Sequence, residues 1–273
     1  GDFTVPAKLF YDFIALLPND RVDLEVKNNV LEIKCGTYDT KIKGLAAVDF
    51  PLLPRLQKDN SCLIRGQEFK RALEQVLFSV ASNEIRPEIS GVLFSFSKDE
   101  VNELRLVGTD SYRLAERKIG FTVKEGTVVQ GLRDIIIPLK TLAHMSHILS
   151  VLGAGENEML EISVFQNQII FVYDSVELIA KLIEGQYPNY RQIIPESFQT
   201  KAILNAGELQ KVIKTTSLFA TGLNDIQLKV SPASSSLTVS ALNSQTGEQK
   251  ANIGGDLTGI ENEVTLNYRY LLD

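Results

Sequence analysis

Side chains that could catalyse a reaction or hold a metal are scarce in this chain of 273 residues. The two histidines, His144 and His147, could act as acid–base groups or metal ligands, and Cys35 and Cys62 could supply thiolates. Both cysteines fall in stretches typical of strands, and neither has the spacing of a metal-ligand set. The sequence therefore predicts no disulfide, no metal site and no cofactor, and it argues against an enzyme.

A polar turn at residues 108–115 reads Gly-Thr-Asp-Ser-Tyr-Arg-Leu-Ala. Asp110 and Arg113 lie three positions apart in it and, together with Lys140, could bind a small anionic substrate. No set of nucleophile, base and orienting residue accompanies them, and Asp–Arg pairs at this spacing are common in structural turns. An enzyme is therefore the weakest of the alternatives.

The segment Tyr112-Arg113-Leu114 favours a binding site instead. An exposed aromatic residue beside Arg and Leu is the residue mixture of a protein-interaction hot spot. The corresponding turn in the second half of the chain, Ala-Leu-Asn-Ser-Gln-Thr at 241–246, keeps the polar residues but lacks Tyr-Arg-Leu. Folding alone does not explain the difference, although a structural Arg that pairs with a carboxylate remains an open alternative.

The elements that must position this turn repeat along the chain. Strands with alternating apolar residues follow each predicted helix, and matching hairpin signatures with a polar turn occur at 26–33 and 164–171. We expect an α+β fold in which helices pack on one face of antiparallel curved sheets. The predicted amphipathic helices span about 7–16, 67–82, 138–150 and 206–220.

The sequence pattern at the end of the chain repeats the one at its beginning, since residues 265–272 align with residues 4–11. A domain rarely begins and ends inside an amphipathic helix. We therefore expect a fragment of a protein with three units. In this interpretation 1–60 is the second half of a first domain, 61–198 is a complete second domain and 199–273 is the first half of a third.

Charge is unevenly distributed along the chain, whose net charge is -6. The predicted helices carry more basic than acidic side chains, so a face made of helices could hold a polyanion. No base-reading motif is present, and any contact with DNA should be independent of sequence. A single lysine on a helix is most often only solvated, so the hypothesis depends on the pattern. The basic residues are Lys8, Lys70, Arg71, Lys140, Lys211 and Lys214, and the acidic ones are Asp12, Glu68, Glu74 and Glu208.

Apolar runs such as 13–17 and 135–137 are far shorter than the ~20 residues that a membrane span needs. The first residues, Gly-Asp-Phe-Thr-Val, do not resemble a signal peptide. We expect a cytoplasmic protein with no membrane partner.

Five short segments carry a resemblance to a known family: Phe78-Ser79-Val80-Ala81, Arg86-Pro87-Glu88-Ile89-Ser90-Gly91-Val92-Leu93-Phe94, Thr109-Asp110-Ser111-Tyr112-Arg113-Leu114-Ala115, Glu184-Gly185-Gln186-Tyr187-Pro188-Asn189-Tyr190-Arg191 and Ile194-Pro195. With them the chain resembles, over its whole length, the bacterial DNA sliding clamp family, the β subunit of the DNA polymerase III holoenzyme. The order and phase of the repeat agree with that resemblance.

The resemblance implies the DNA-clamp fold and a non-catalytic processivity factor of DNA replication. The full-length protein would be a homodimer whose ring encircles duplex DNA without sequence specificity. Its partners would be the replicative polymerase catalytic subunit, the clamp loader, and other polymerases and repair proteins that bind through short linear motifs. A non-DNA protein-interaction scaffold on the same repeat is the alternative.

The resemblance also assigns residues by motif. DNA contacts are expected at Arg86 and Lys140, and further ones at Lys70, Arg71 and Lys211. The family's C-terminal pocket segment lies beyond Asp273, and Gln192 stands where some members have Arg, so the peptide preference is not implied. The expected wall of the peptide-binding pocket comprises Ile89, Thr109, Ser111, Tyr112, Arg113, Leu114, Pro188 and Ile193.

Overall fold

The computed structural model describes residues 2–49, 61–82, 85–97, 102–124, 134–153, 155 and 157–273. The chain divides into two compact units, Gly1–Gln57 and Lys58–Asp273. Residues 50–60, where the first predicted domain boundary falls, lie outside the described part. None of the described helices is long and apolar enough to cross a membrane.

The first unit contains one helix and a three-stranded antiparallel sheet, with strand order β2-β3-β4. The hairpin predicted around Asn28 and Asn29 is confirmed: their φ values are 50° and 59°, a left-handed conformation that a two-residue hairpin turn requires and that Asn tolerates. Leu31, Ile33 and Ile42 are buried against apolar residues of the helix. The elements are β1 (Phe3–Thr4), α1 (Ala7–Ala15), β2 (Asp23–Lys27), β3 (Val30–Cys35), β4 (Tyr38–Lys43) and β5 (Leu45–Ala46).

Antiparallel sheets also form the frame of the second unit. Two of them have the strand orders β10-β6-β12-β13-β14 and β11-β7-β8-β9, so β9 lies at a sheet edge. Later in the chain the orders are β18-β17-β16-β20 and β15-β19. The strands are β6 (Ser61–Arg65), β7 (Gly91–Ser97), β8 (Glu103–Thr109), β9 (Leu114–Gly120), β10 (Thr122–Val123), β11 (Ile135–Pro138), β12 (Met159–Phe165), β13 (Gln168–Tyr173), β14 (Val176–Lys181), β15 (Thr200–Ile203), β16 (Asp225–Ser231), β17 (Ser236–Asn243), β18 (Gly247–Gly254), β19 (Asp256–Gly259) and β20 (Asn262–Asn267).

The helices begin close to the predicted positions, but one of them is much shorter than predicted. The second unit contains α2 (Gly66–Glu74), α3 (Leu139–Val151), α4 (Ala206–Thr216) and α5 (Tyr268–Leu272). The prediction of a helix over 67–82 is wrong in its second half, where the turn Leu77–Ser79 is a 3-10 helix. Ser79 is buried and donates from Oγ to the Val76 carbonyl (2.7 Å). Gly108 leaves room for this turn, because a Cβ there would lie 2.7 Å from Ser79 Oγ.

The helices of the second unit pack on one face of the sheets, as predicted. In β7, Val92 and Phe94 face the helices while Leu93 faces the other side, because side chains alternate along a strand. Phe69 of α2 is fully buried, and its ring centroid lies 5.9 Å from those of Phe94 and Phe171. The opposite face carries a second, smaller apolar cluster that includes no residue of a described α-helix, and the candidate site is built on it. We call this face the helix-free face.

The start of α4 depends on Asn205, whose side chain accepts a hydrogen bond from the backbone N–H of Glu208 (3.0 Å). We expect Asn205→Ala to lower the free energy of unfolding by about 1 kcal/mol, because the first helical turn loses its side-chain acceptor. Asn205→Asp keeps an acceptor and should stay close to the unsubstituted protein. Chemical denaturation measures the difference, and equal stability of the two variants would contradict the capping role.

Candidate functional site

The turn between β8 and β9 is held by its own side chains. Asp110 Oδ1 accepts hydrogen bonds from the backbone N–H groups of Tyr112 (2.9 Å) and Arg113 (3.0 Å). Thr109 Oγ1 accepts from the Ser111 N–H (3.1 Å) and donates to the Arg113 carbonyl (2.7 Å). Ser111 adopts a left-handed conformation, with φ of 77°, that these bonds stabilise. The Thr-Asp-Ser sequence therefore fixes where the next three side chains lie.

Arg113 joins this turn to two distant segments. Its Nε donates to Asp110 Oδ2 (3.0 Å) and its Nη1 to Asp273 Oδ2 (2.6 Å). Its Nη2 donates to the Phe78 carbonyl (2.5 Å). The guanidinium also lies 5.3 Å from the ring centroid of Phe78 and 4.8 Å from that of Tyr270. Partial burial opposes the charge, but the hydrogen bonds to the two carboxylates outweigh it and raise the pKa of Arg113.

Tyr112 lies next to Arg113 and stays open to solvent, with 81% of the residue exposed. Its ring stacks on Tyr270 of α5, with 6.3 Å between centroids and 27° between ring planes. The turn and α5 therefore present two aromatic rings and a guanidinium together. A surface of this composition suits an apolar side chain of a peptide, because aromatic rings bury a large area at low entropic cost.

Leu114 packs on the helix-free face of the sheet. It contacts a cluster of four buried residues: Leu93, Val107, Ile136 and Tyr190. Tyr187 packs on the same cluster and donates from its hydroxyl to the Val107 carbonyl (3.2 Å), and burial raises the pKa of Tyr187. The Tyr190 hydroxyl donates to Glu116 Oε2 (2.5 Å). These bonds hold residues 187–190, which we call the Tyr-Pro segment, beside the turn.

The remaining three residues expected in the pocket differ in their exposure. Pro188 is half-buried and lines a cleft of about 440 Å³ that also touches Leu93 and Ile136. Ile193 is 72% exposed and ends the 3-10 turn that starts at Tyr190. Ile89 is only 3% exposed, so a ligand would reach little of its side chain. The structure therefore gathers the turn residues and the Tyr-Pro segment, while it buries Ile89.

Arg86, for which the family resemblance implies a DNA contact, lies beside the turn and not on a helix. Its Nη1 donates to Ser111 Oγ (3.1 Å), and its Nε donates to Glu88 Oε1 (3.0 Å). Half of its side chain is exposed. Arg86 is therefore placed at the rim of the surface formed by the turn.

The other residues predicted to contact DNA all lie on helices. Arg71, Lys140 and Lys211 are exposed, and they form no ion pair with any residue that the structure describes. Lys70 is half-buried, and its Nζ lies 3.9 Å from Glu74 Oε1. Helices α2 and α3 pack against each other, so Arg71 and Lys140 belong to one helix pair, whereas Lys211 belongs to α4.

Three residues around Arg113 were not predicted as site residues: Phe78, Tyr270 and Asp273. Arg113 is separated from Phe78 by 35 positions and from Asp273 by 160, so no local pattern connects them. The available signals were the place of Phe78 in the motif Phe-Ser-Val-Ala and the return of the repeat pattern at 265–272. Neither signal indicates a partner for Arg113.

Reactive groups play no visible part in this arrangement. His144 and His147 are exposed on α3, and in the described ranges no group of three His, Cys, Asp or Glu side chains could hold a metal. Cys35 and Cys62 are buried thiols in strands, and burial raises the pKa of Cys62 to about 12, which leaves it protonated and unreactive. The Asp110 carboxylate is occupied within its turn. The geometry of the turn suits binding.

Comparison with known families matches nearly the whole chain to one subunit. The model of the N-terminal domain of the DNA polymerase III beta subunit matches residues 1–54. The central-domain model matches residues 63–189, and the C-terminal-domain model matches residues 191–273. The three domains follow one another in this order.

Individual relatives are similar over the same extent. The beta sliding clamp of Bacillus subtilis (strain 168) is 29% identical over 277 residues, which cover 100% of this chain and 70% of the relative. A crystal structure of the sliding clamp from Bacillus subtilis superposes with a TM-score of 0.87 at 28% identity and covers 100% of this chain and 70% of that one. A sliding clamp from Bartonella birtlesii bound to griselimycin gives 0.87 at 26% identity, over 99% and 71%. The chain therefore belongs to the family of the DNA polymerase III beta subunit, the bacterial DNA sliding clamp, a non-catalytic processivity factor.

Proposed function

We propose that this protein encircles duplex DNA as a ring-forming clamp and tethers partner proteins through the surface around Tyr112, Arg113 and Leu114. The observation that carries the proposal is the match to all three domains of one clamp subunit, in order along the chain. Within this proposal, 1–60 is the second half of a first domain, 61–198 a complete second domain and 199–273 the first half of a third; the matched ranges 1–54, 63–189 and 191–273 follow the same order. A homodimeric ring in the cytoplasm, where chromosomal DNA is replicated, goes with this function.

DNA would contact the helix side of the protein. Arg71, Lys140 and Lys211 offer exposed charges that no described carboxylate neutralises, and Lys70 is only loosely paired with Glu74. Such side chains attract phosphates without reading bases, and each phosphate contact adds about 0.9 to the slope of log affinity against log salt. A few weak contacts suit a clamp that must slide, because tight phosphate binding would hold it in place.

Partner proteins would bind on the opposite face, where the turn and the Tyr-Pro segment meet. Tyr112, Leu114, Pro188 and Ile193 supply apolar contacts, and Arg86, whose charge is paired with Glu88, supplies guanidinium hydrogen-bond donors at the rim. A short peptide that inserts one or two apolar side chains there should bind with roughly micromolar affinity, about 8 kcal/mol. The Bartonella birtlesii clamp bound to griselimycin supports a ligand pocket in this family. The expected partners are the replicative polymerase subunit, the clamp loader, and other polymerases and repair proteins.

The proposal predicts topological retention on DNA. The full-length protein is assembled by its clamp loader on nicked circular duplex, separated from free protein by gel filtration, and followed before and after the circle is cut once. Release on linearisation is the expected result, because a ring slides off a free end.

Two other outcomes would contradict this. Retention that responds only to salt would indicate ordinary electrostatic binding. No retention on either form, with peptide binding intact, would favour a protein-interaction scaffold.

A further inference from the structure

A cleft of about 410 Å³ lies where α2 meets the edge strand β9. Its lining is rich in arginine and has one carboxylate. The lining residues are Arg65, Gln67, Glu68, Arg71, Arg117 and Asn157. Of these, only Arg71 was expected from the sequence to contact DNA.

The strand register places Arg117 on the helix side of the sheet. Arg117 lies opposite Leu106 of β8, and Leu106 is fully buried beneath the helices. Its neighbours along β9 lie on the other face, where Glu116 accepts the hydrogen bond from the Tyr190 hydroxyl. Edge strand β9 therefore extends the basic surface of the helices by one arginine.

The charges in this cleft are not balanced. Arg65 donates from Nε (3.2 Å) and Nη2 (3.0 Å) to Glu68 Oε2, so these two residues neutralise each other. In the described part of the chain neither Arg71 nor Arg117 forms an ion pair, and both are exposed. The cleft therefore holds two uncompensated guanidinium groups, and Gln67 and Asn157 add amide groups that can donate hydrogen bonds.

We propose that Arg71 and Arg117 together bind one backbone phosphate of duplex DNA in this cleft. A guanidinium group carries the charge opposite to that of a phosphate, and its planar N–H donors can bond to two phosphate oxygens at once. The Arg65–Glu68 pair would border the site without competing for the phosphate, since its charges are already satisfied. The inference rests on the proposed function, and it adds a residue from a strand to the DNA-facing helices.

Salt dependence tests the cleft directly. Binding of the chain to a short fluorescent duplex is measured by anisotropy across a salt series, for the unsubstituted protein, Arg117→Gln, Arg71→Gln and the double variant. Loss of one phosphate contact should reduce the slope of log affinity against log salt by about 0.9 in each single variant. The double variant should lose little more than either single variant, because both arginines hold the same phosphate.

Lys118→Gln is the matched control, because it removes one positive charge from the neighbouring position on the other face of β9, where Lys118 lies near Glu103. Its slope should equal that of the unsubstituted protein. Equal slopes for Arg117→Gln and Lys118→Gln would overturn the cleft but not DNA binding, and additive losses in the double variant would overturn the shared phosphate. Saturable binding of inorganic phosphate with an unchanged DNA slope would overturn the assignment to DNA. If the unsubstituted protein shows no salt-dependent binding, the DNA part of the proposed function fails as well.

Discussion

Replacement of Arg113 by alanine should lower both the free energy of unfolding and the affinity for a partner peptide. The guanidinium now bonds to Asp110, Asp273 and the Phe78 carbonyl. Hydrogen bonds to charged groups contribute about 1.5–3 kcal/mol each when they are shielded from water. Because the Asp273 side chain is 48% exposed, we expect a total loss of about 2–3 kcal/mol, well below the sum of the three bonds.

The peptide affinity of this variant should fall at least about tenfold, which corresponds to about 1.4 kcal/mol. Arg113 holds the β8–β9 turn and α5 together, and without it Tyr112 and Tyr270 lose the contact that keeps their rings adjacent. Calorimetric titration with a peptide and chemical denaturation of the same preparation would separate the two effects.

Arg113→Lys and Asp273→Asn are the informative controls. Lysine keeps the charge but cannot reach two carboxylates and a carbonyl with a planar fork, so it should recover little of the stability. Asp273→Asn removes the negative charge of the more exposed partner but keeps an acceptor oxygen, so it should cost less than about 1 kcal/mol. If Arg113→Lys matched the unsubstituted protein in stability and affinity, charge alone would be sufficient and the positioning role of Arg113 would be wrong.

The frame of the fold was predictable because its signals are local. Pro6 and Pro138 directly precede the first residues of α1 and α3, and apolar residues recur at helical spacing after both. The end of α2 was not predictable in this way. Val76 and Val80 continue the apolar spacing, but they are buried residues that flank the 3-10 turn Leu77–Ser79, whose path depends on Gly108 of β8.

The candidate site likewise has one part that the local sequence predicts and another part that depends on distant residues. The turn at Thr109, Asp110 and Ser111 forms from bonds between neighbours, so its residues alone predict it. The partners of Arg113 come from remote parts of the chain. Arg117 could not be recognised either, because its position on the helix side depends on which residue of β8 lies opposite it.

Strand β9 contributes to both proposed surfaces. On the helix-free face, Leu114 packs on the apolar cluster and Glu116 accepts a hydrogen bond from the Tyr190 hydroxyl. Arg117 lies on the helix side. A substitution at one of these positions should therefore affect one kind of partner only. Arg117→Gln should leave peptide affinity unchanged, and Leu114→Ala should leave the salt dependence of DNA binding unchanged.

The double substitution Tyr112→Ala with Leu114→Ala should abolish measurable peptide binding while the chain stays folded. Tyr112 is 81% exposed, so its removal should cost less than about 1 kcal/mol of stability. Leu114 is half-buried, and its truncation should cost about 1–2 kcal/mol. Hot-spot residues contribute about 2 kcal/mol or more each to binding, so the pair should weaken a micromolar peptide roughly a thousandfold.

Tyr11→Ala with Leu218→Ala is the matched control, since it removes the same side chains from positions that are 72% and 75% exposed. Fluorescence polarisation with a labelled peptide should show normal binding for the control and none for the Tyr112 and Leu114 variant. Thermal unfolding by circular dichroism should show that both variants are folded. If that variant unfolds, the two residues belong to the core and the hot-spot interpretation is wrong. If it folds and binds like the control, the peptide site lies elsewhere.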